Sequence, residues 1–373
     1  MILFLNFAPI SYGGGVERWI TSVGEAFSKS EETIFLDVDR CISDLYAELV
    51  FKRKFLARNT DISKKILQKS IFWRSLLPFT ADWKKIRDNI RTARVIYTKL
   101  EVNELLILFY YGGFSVLKKT IIGLHSPFIY HQDNLSFFES LHNIVYQSFV
   151  IKKILSMAKQ IHTLNEEQTI TMKSTFGLSN VTLIPNFIET PSEYKPAITV
   201  PDHLAICFVG ELSLRKGADI LLEIISKSPK HFTYQIAGDG PLKPQFAALK
   251  SPQVKYLGFL QKTDVEKVLE TSDLLLMPSR AESFSLATLE ALSHGMSVIC
   301  STDISPSILE KYLVMCKKKA PDEFISKLNQ VFQEKVSKTL ETKRRKIWLE
   351  VNKQFSKKEI LSLLTEQLFH IAS

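Results

Sequence analysis

Four cysteines in 373 residues, Cys41, Cys207, Cys300 and Cys316, stand in no C-x-x-C or metal-finger spacing, so nothing signals a redox pair, a zinc site or a disulfide framework. Cys207 and Cys300 fall inside apolar runs and read as buried thiols of a reducing compartment. No run reaches the roughly 18 apolar residues of a membrane span; Leu105–Tyr111 comes nearest, and Gly112-Gly113 ends it. The opening MILFLNFAPI lacks the basic flank of a secretory leader and reads as a first β-strand. The expectation is a cytoplasmic protein, with peripheral attachment to the inner face of a membrane left open. No D-x-D stands at a strand end beside a second ligand cluster, so no metal is implied. Asp37-Val38-Asp39 matches by letters alone, far from the glycine turns described below. Low-complexity tracts and short fixed repeats are also missing.

What is present is a globular composition with a positive bias. Apolar residues make up 45% and charged residues 23%, and 48 Lys+Arg against 39 Asp+Glu leave a formal charge of +9. That sign favours anionic partners, whether nucleotide sugars, acidic headgroups or nucleic acid, without choosing among them. A chain this long exceeds one ordinary core and fits two domains of about 150 to 200 residues. The weakly apolar stretch carrying Pro191, Pro196 and Pro201 reads as the linker. We therefore expect a first domain over 1–190, a linker over 191–203, a second domain over 204–350 and a final helix within 351–373.

The most informative stretch runs from Leu274 to Ile299. Leu274–Met277 suits a strand covered on both faces, and Pro278 stops it. Ser285 is a good N-cap for Leu286–His294, Gly295 stands where a C′ glycine belongs, and Val298–Cys300 is the next strand. Ligands of such βαβ units lie outside the carboxyl ends of the strands, at helix N-termini. Glu282 sits in that loop and Glu290 on the helix. Two carboxylates eight apart arise by chance at about four places in a chain of this acidity, so the context carries the reading; the bland alternative is a capping Glu282 and a solvated Glu290. Upstream, Leu204–Val209, Thr233–Ala237 and Val254–Leu257 each run into glycine (Gly210, Gly238 with Gly240, and Gly258) before a helix, a rim of backbone N–H groups suited to phosphate. Lys216 precedes a helix beginning near Ala218; the alternative is an ordinary surface lysine.

In the first half, Ile2–Phe7 is a strand and a turn through Gly13, Gly14 and Gly15 leads to a helix over about Val16–Ser28. The spacing is not G-x-G-x-x-G, so a dinucleotide site has little support. Thr33–Val38, Arg94–Thr98, Thr120–His125, Gln160–Leu164 and Val181–Ile184 read as strands, Ser136–Ala158 as one long helix and Glu166–Phe176 as another. His125 ends its strand where α/β folds place functional residues, although a lone histidine is more often structural. From Phe51 to Arg94, basic residues far outnumber Asp61, Asp82 and Asp88, with Phe72, Trp73, Phe79 and Trp83 interleaved. Such a segment docks on an anionic membrane or shows a solvated basic face with its aromatics inward; nucleic acid is not expected.

In order, Val209–Gly217 (V-G-x-L-x-x-R-K-G), A-G-D-G-P, L-G-F and E-S-F-S-L-A-T-L-E resemble the motifs of retaining glycosyltransferases of family 4, whose E-x7-E helix more often reads E-G-F-G-L. Gly14-Gly15-Val16-Glu17 resembles the family's G-G-x-E opening. Ile184-Pro185-Asn186-Phe187 resembles its I-P-N-G turn, with Phe187 for Gly. The resemblance is strongest over about Leu204–Ser301, and Phe51–Arg91 matches nothing in it. It implies an α/β fold of the GT-B type, two Rossmann-like doubly wound domains facing each other across a cleft, acceptor side first and donor side second. It also implies a last helix, about Lys357–Ala372, packing back on the first domain through Ile360, Leu363, Leu364, Leu368 and Ile371.

The implied activity is retaining transfer of a hexosyl group from a UDP- or GDP-sugar to a glycan, lipid-linked or other acceptor in surface polysaccharide or glycoconjugate synthesis. It is metal-independent and uses no cofactor beyond the nucleotide sugar. His125, Lys216 and Glu282 are the implied catalytic residues. Gly14, Gly15, Arg215, Gly238, Gly240, Ser283, Phe284, Ser285, Leu286 and Glu290 are the implied donor-binding residues, with Glu282 facing the sugar and Glu290 the ribose. Lys216 and Glu282 sit in loops, so replacing them is expected to leave the fold undisturbed. One position departs: Glu211 stands where the family usually has an Arg on the diphosphate. At about 4 Å and an effective dielectric near 20, a carboxylate there is repelled by about 4 kcal/mol. The expectation is that Glu211 turns away to pair with Arg215, and that Arg215 supplies the missing guanidinium. The alternatives are a non-catalytic pseudo-glycosyltransferase subunit of a glycosylation complex and, on charge alone, an RNA-binding protein.

Overall fold

Short runs of aliphatic, β-branched and aromatic residues form the strands, and among the described residues every strand pair is parallel. The computed structural model describes residues 1–6, 15–37, 83–126, 128–129, 137–191, 193–196, 200, 202–301, 307–317 and 320–370. A first six-stranded sheet comprises β1 (Ile2–Asn6), β2 (Thr33–Asp37), β3 (Val95–Lys99), β4 (Thr120–Gly123), β5 (Gln160–Thr163) and β6 (Val181–Leu183), in the order β2-β1-β3-β4-β5-β6. A second comprises β7 (Leu204–Val209), β8 (Phe232–Ala237), β9 (Val254–Gly258), β10 (Leu274–Met277), β11 (Ser297–Ser301) and β12 (Leu313–Cys316), in the order β12-β11-β10-β7-β8-β9. Helices cover both faces. This explains why β1 and β10 are buried along their whole length and read as continuous apolar runs rather than alternating ones. Ile2 and Phe4 point to one core and Leu3 and Leu5 to another, the two-residue period of a strand.

The helices that bear on the site are α1 (Gly15–Phe27), α2 (Trp83–Thr92), α3 (Val102–Gly112), α4 (Phe137–Tyr146), α5 (Phe149–Met157), α6 (Ala218–Lys227), α7 (Leu286–Ser293), α8 (Thr339–Gln354) and α9 (Lys357–Leu363). The single helix expected over Ser136–Ala158 is two. Ser148 is extended at φ −67°, ψ 153°, and its side chain accepts from the Ile151 N–H, so it caps α5 instead of continuing α4. Glu166–Phe176 is α-helical only to Ile170 and π-helical from Thr171 to Thr175.

The boundary expected at residue 350 falls inside α8, which runs to Gln354; Ser356 then caps α9 by accepting from the Glu359 N–H. α9 continues as π-helix over Leu364–Phe369. Ile360, Leu364, Leu368 and Phe369 join Ile2, Phe4, Trp19 and Tyr97 in one core, so the last helix packs on the first sheet while α8 packs on the core of the second. The chain crosses between the sheets twice, side by side: Ile188 N–H donates to the Phe355 carbonyl at 3.0 Å, and Lys357 N–H to the Ile188 carbonyl at 3.0 Å.

Candidate active site

In each sheet the strand order reverses once, between β1 and β3 and between β7 and β10. The loops leaving two such strands diverge and leave a crevice at their carboxyl ends. Lys216 follows β7 and Glu282 follows β10, so the second sheet's reversal point places them opposite one another, with Lys216 Nζ 2.5 Å from Glu282 Oε1. Both are largely shielded, at 16% and 7% side-chain exposure, and Ser279 donates its hydroxyl to the same Glu282 oxygen at 3.0 Å. Sequence reasoning passed over the residue that ties the two loops together, Arg280. Its backbone N–H donates to the Arg215 carbonyl at 2.7 Å. Its guanidinium donates to both Asp219 oxygens at 2.6 Å and to the Leu214 carbonyl, the fork geometry that a lysine lacks. The arginine beside it holds the Asp219 carboxyl below its usual range against the opposing effect of burial. The only signal in the sequence was its place two residues before Glu282.

After Glu282, the side chains of Ser283–Leu286 are engaged with the protein itself. Ser283 donates its hydroxyl to the His125 carbonyl at 2.7 Å, and Phe284 is buried in the second core near Phe355. Ser285 caps α7 by accepting from the Thr288 N–H, and Leu286 packs where a side chain on Gly15 would have to be. With those side chains engaged, the start of α7 offers its N–H groups and the positive end of its dipole. Glu290 lies one turn further along and meets Arg18 of α1, Oε1 to Nη1 3.5 Å, across the cleft. Burial raises the Glu290 carboxyl above its usual range, and Arg18 opposes the shift.

The glycine rim has a tighter purpose than open access to an anion. A Cβ on Gly238 would sit 1.8 Å from the Gly210 carbonyl oxygen, and one on Gly240 2.7 Å from the Leu212 carbonyl oxygen. These glycines let the loops after β7 and β8 pack backbone to backbone. On their surface Glu211 turns to Arg215, Oε2 to Nη2 3.3 Å, and also accepts from the Ser213 hydroxyl at 3.0 Å, as anticipated for that pair.

On the opposite wall His125 leaves β4 buried beneath Trp19 of α1, ring centroids 4.8 Å apart. Its Nε2 lies 2.7 Å from the Tyr97 hydroxyl, which lies 2.7 Å from Nδ1 of His162. Burial depresses His125 well below the usual imidazole range and His162 to about 4. Nearby, Lys99 lies 3.9 Å from Glu17 and 3.6 Å from Glu104, and burial raises the Glu101 carboxyl. Gly14, Asp39, Cys41 and Ile371 lie outside the described residues, as does the basic segment up to Asp82. In the part of that segment that is described, α2 turns Ile86 and Ile90 into the core. Among the described residues no group of three or more His, Cys, Asp or Glu side chains could hold a metal, and no helix is long and apolar enough to cross a membrane.

Residues 203–334 match the sequence model of the family Glycosyl transferases group 1. Over 176 residues the chain is 30% identical to a component of the phosphatidylinositol N-acetylglucosaminyltransferase of Arabidopsis thaliana, covering 44% of this chain and 38% of that protein. Over 129 residues it is 30% identical to the O-antigen biosynthesis glycosyltransferase WclY of Escherichia coli, covering 33% and 35%. The alignments thus span well under half the length of these relatives. In three dimensions the whole chain resembles Anabaena Alr3699/HepE in complex with UDP and glucose, with a TM-score of 0.69, 15% identity and 99% of each chain covered. It also resembles the apo lipopolysaccharide outer core galactosyltransferase WaaB, with a TM-score of 0.63, 16% identity and 100% of this chain and 99% of that chain covered. The fold is GT-B.

Proposed function

We propose that the protein is a retaining, metal-independent glycosyltransferase of family 4 that moves a hexosyl group from a nucleotide sugar to a glycan or lipid-linked acceptor in surface polysaccharide synthesis. The observation that carries this reading is the shielded Lys216–Glu282 pair at the second sheet's reversal point, beside the N-termini of α6 and α7. Departure of a nucleoside diphosphate gathers negative charge on a phosphate oxygen. A positioned ammonium and oriented N–H groups stabilise that charge more in the transition state than in the ground state. Lys216 has three N–H donors, so it can meet a phosphate oxygen while still held by Glu282. Glu282 supplies carboxylate beside the positive sugar centre, and Glu290 suits a ribose hydroxyl. The relative that holds UDP and glucose puts UDP-sugars first among candidate donors.

Thermal shift with UDP-, GDP- and ADP-sugars tests the reading, because a ligand of the folded state at about 100 times its Kd adds about 2.7 kcal/mol of stability. Calorimetry on Arg215→Ala then tests its diphosphate contact; a loss of about 1.5 to 3 kcal/mol in nucleoside diphosphate affinity is expected for a charge-assisted bond. Undiminished affinity removes Arg215 from the site. If wild type binds nothing and Glu211→Arg restores binding, the chain is a pseudo-glycosyltransferase.

A second part of the proposal is that the first domain rests on an anionic membrane. The break between α4 and α5 leaves Ile144, Phe149 and Val150 exposed at 70%, 78% and 64%, with exposed Lys152 and Lys153 alongside. Apolar wedges flanked by lysines suit an acidic interface, each cation adding about 1 kcal/mol near the surface, and residues 51–94 add further basic charge. Flotation with acidic vesicles but not neutral ones is expected, and Ile144→Ser with Phe149→Ser should abolish most of it. Identical behaviour with both vesicle types rejects membrane docking.

A further inference from the structure

The His125 site contains a chain of hydrogen bonds whose direction is fixed at one end. β4 lies between β3 and β5, and Gly123 of β4 is the Cα partner of His162 on β5 and of Lys99 on β3. A Cβ at Gly123 would stand 2.2 Å from the Tyr97 hydroxyl and 2.9 Å from His125 Nε2, so only glycine lets a tyrosine from β3 reach over β4 to the two imidazoles. Trp19 closes the group from above, its ring 5.1 Å from Tyr97 and 5.5 Å from His162.

His162 Nε2 lies 2.8 Å from the Ile184 carbonyl oxygen. A carbonyl can only accept, so His162 carries its proton on Nε2. Burial keeps the ring neutral, and its Nδ1 is therefore an acceptor. The Tyr97 hydroxyl must then donate to His162 Nδ1, which leaves its oxygen to accept from His125 Nε2. His125 is thereby driven into the Nε2–H form, and its Nδ1 keeps a lone pair with no hydrogen-bond partner among the described residues.

We propose that Tyr97 and His162 are positioning residues that hold His125 in the Nε2–H tautomer and reserve its Nδ1 as an acceptor for a hydroxyl of the donor sugar. The last clause rests on the reading of the cleft given above, while the tautomer does not. The chain orients a sugar hydroxyl through an acceptor that needs no reorganisation, and excludes His125 as a proton donor to the leaving group. No covalent step passes through the histidine.

Nitrogen-15 NMR of selectively histidine-labelled full-length protein tests this, with the His125 signals assigned by their loss in His125→Gln. Wild type is expected to show His125 protonated at Nε2 alone, and Tyr97→Phe to show averaging between the two tautomers in a variant that still melts cooperatively. A wild-type ring protonated at Nδ1, or at both nitrogens near neutral pH, overturns the proposal without need of any variant. A Tyr97→Phe ring that stays purely Nε2–H shows that the tyrosine does not set the tautomer, and overturns it as well. Titration with UDP-glucose should move the Nδ1 signal of wild type. Binding that leaves Nδ1 unmoved overturns the sugar contact, whereas a complete lack of donor binding with the tautomer intact overturns the reading of the cleft.

Discussion

Lys216→Ala is expected to slow sugar transfer by about 100- to 1,000-fold, the range for losing one preorganised donor to a developing oxyanion. The sequence-based expectation that this costs the fold nothing is corrected by the geometry. Glu282 is only 7% exposed and Lys216 Nζ is 2.5 Å from it, so the alanine variant leaves a shielded carboxylate with the Ser279 hydroxyl as its remaining partner. Unpaired groups of this kind cost about 1 to 3 kcal/mol, so Lys216→Ala should melt below wild type as well as turn over slowly. The double variant Lys216→Met, Glu282→Gln separates the two effects. With both charges removed it should melt near wild type, yet transfer sugar no faster than the single variant. Turnover near wild type in the double variant would show that the pair serves stability alone. Initial rates with a UDP-sugar, together with melting curves of all variants, make the measurement.

A comparably large loss, this time in folding, is expected for Gly217→Ala. Gly217 caps α6 in the left-handed region at φ +68°, and a Cβ there would lie 1.9 Å from the Pro278 carbonyl oxygen. Gly258 has the same φ of +68° with nothing within 4 Å of its Cβ position. The left-handed backbone alone costs an L-residue about 1 to 2 kcal/mol. Denaturant unfolding should therefore show Gly258→Ala weakened by about that amount, and Gly217→Ala by about 3 kcal/mol or more, because the loops after β7 and β10 must also part. Equal losses at the two glycines would mean that the loops give way freely. That result would also undermine the rigid apposition of Lys216 and Glu282 on which the site depends.

These two loops mark the division between what the sequence reveals and what it hides. Leu274–Met277, the Ser285 cap and Gly295 could be read in advance because each obeys a local rule: an apolar run, a side chain accepting from N3, a positive φ of 71° after a helix. The Lys216–Glu282 contact joins residues 66 apart, and only strand order brings them together, so the motifs indicated both residues without showing their mutual burial. Arg280 escaped notice for the same reason, since its partners Leu214 and Asp219 lie on the other loop. The break at Ser148 was missed because serine is tolerated inside helices, and continuous apolarity on both sides concealed its capping. His125 was visible as a residue at a strand end. Tyr97 and His162, which give it direction, lie inside ordinary-looking strands and meet it only through tertiary structure.

The paired crossings at Ile188 and Phe355–Lys357 run side by side along one line between the two halves. Away from that line they meet at the rim of the site itself. Ser283 donates to His125, Asn165 to the Ser283 carbonyl, and Arg18 pairs with Glu290. A rotation about the crossings would break these contacts on the same loop that begins α7, so the arrangement of the site rests on them. Were open and closed forms to exchange, apparent donor affinity would be the intrinsic affinity multiplied by the fraction of molecules closed. Each ~1.4 kcal/mol gained or lost in those bridging contacts changes the ratio of closed to open molecules tenfold, and where the closed form is the minority the apparent affinity changes with it. By the reciprocity of linkage, a bound donor holds the first domain in place to the same extent. The acceptor would then meet a wall whose shape the donor has already set.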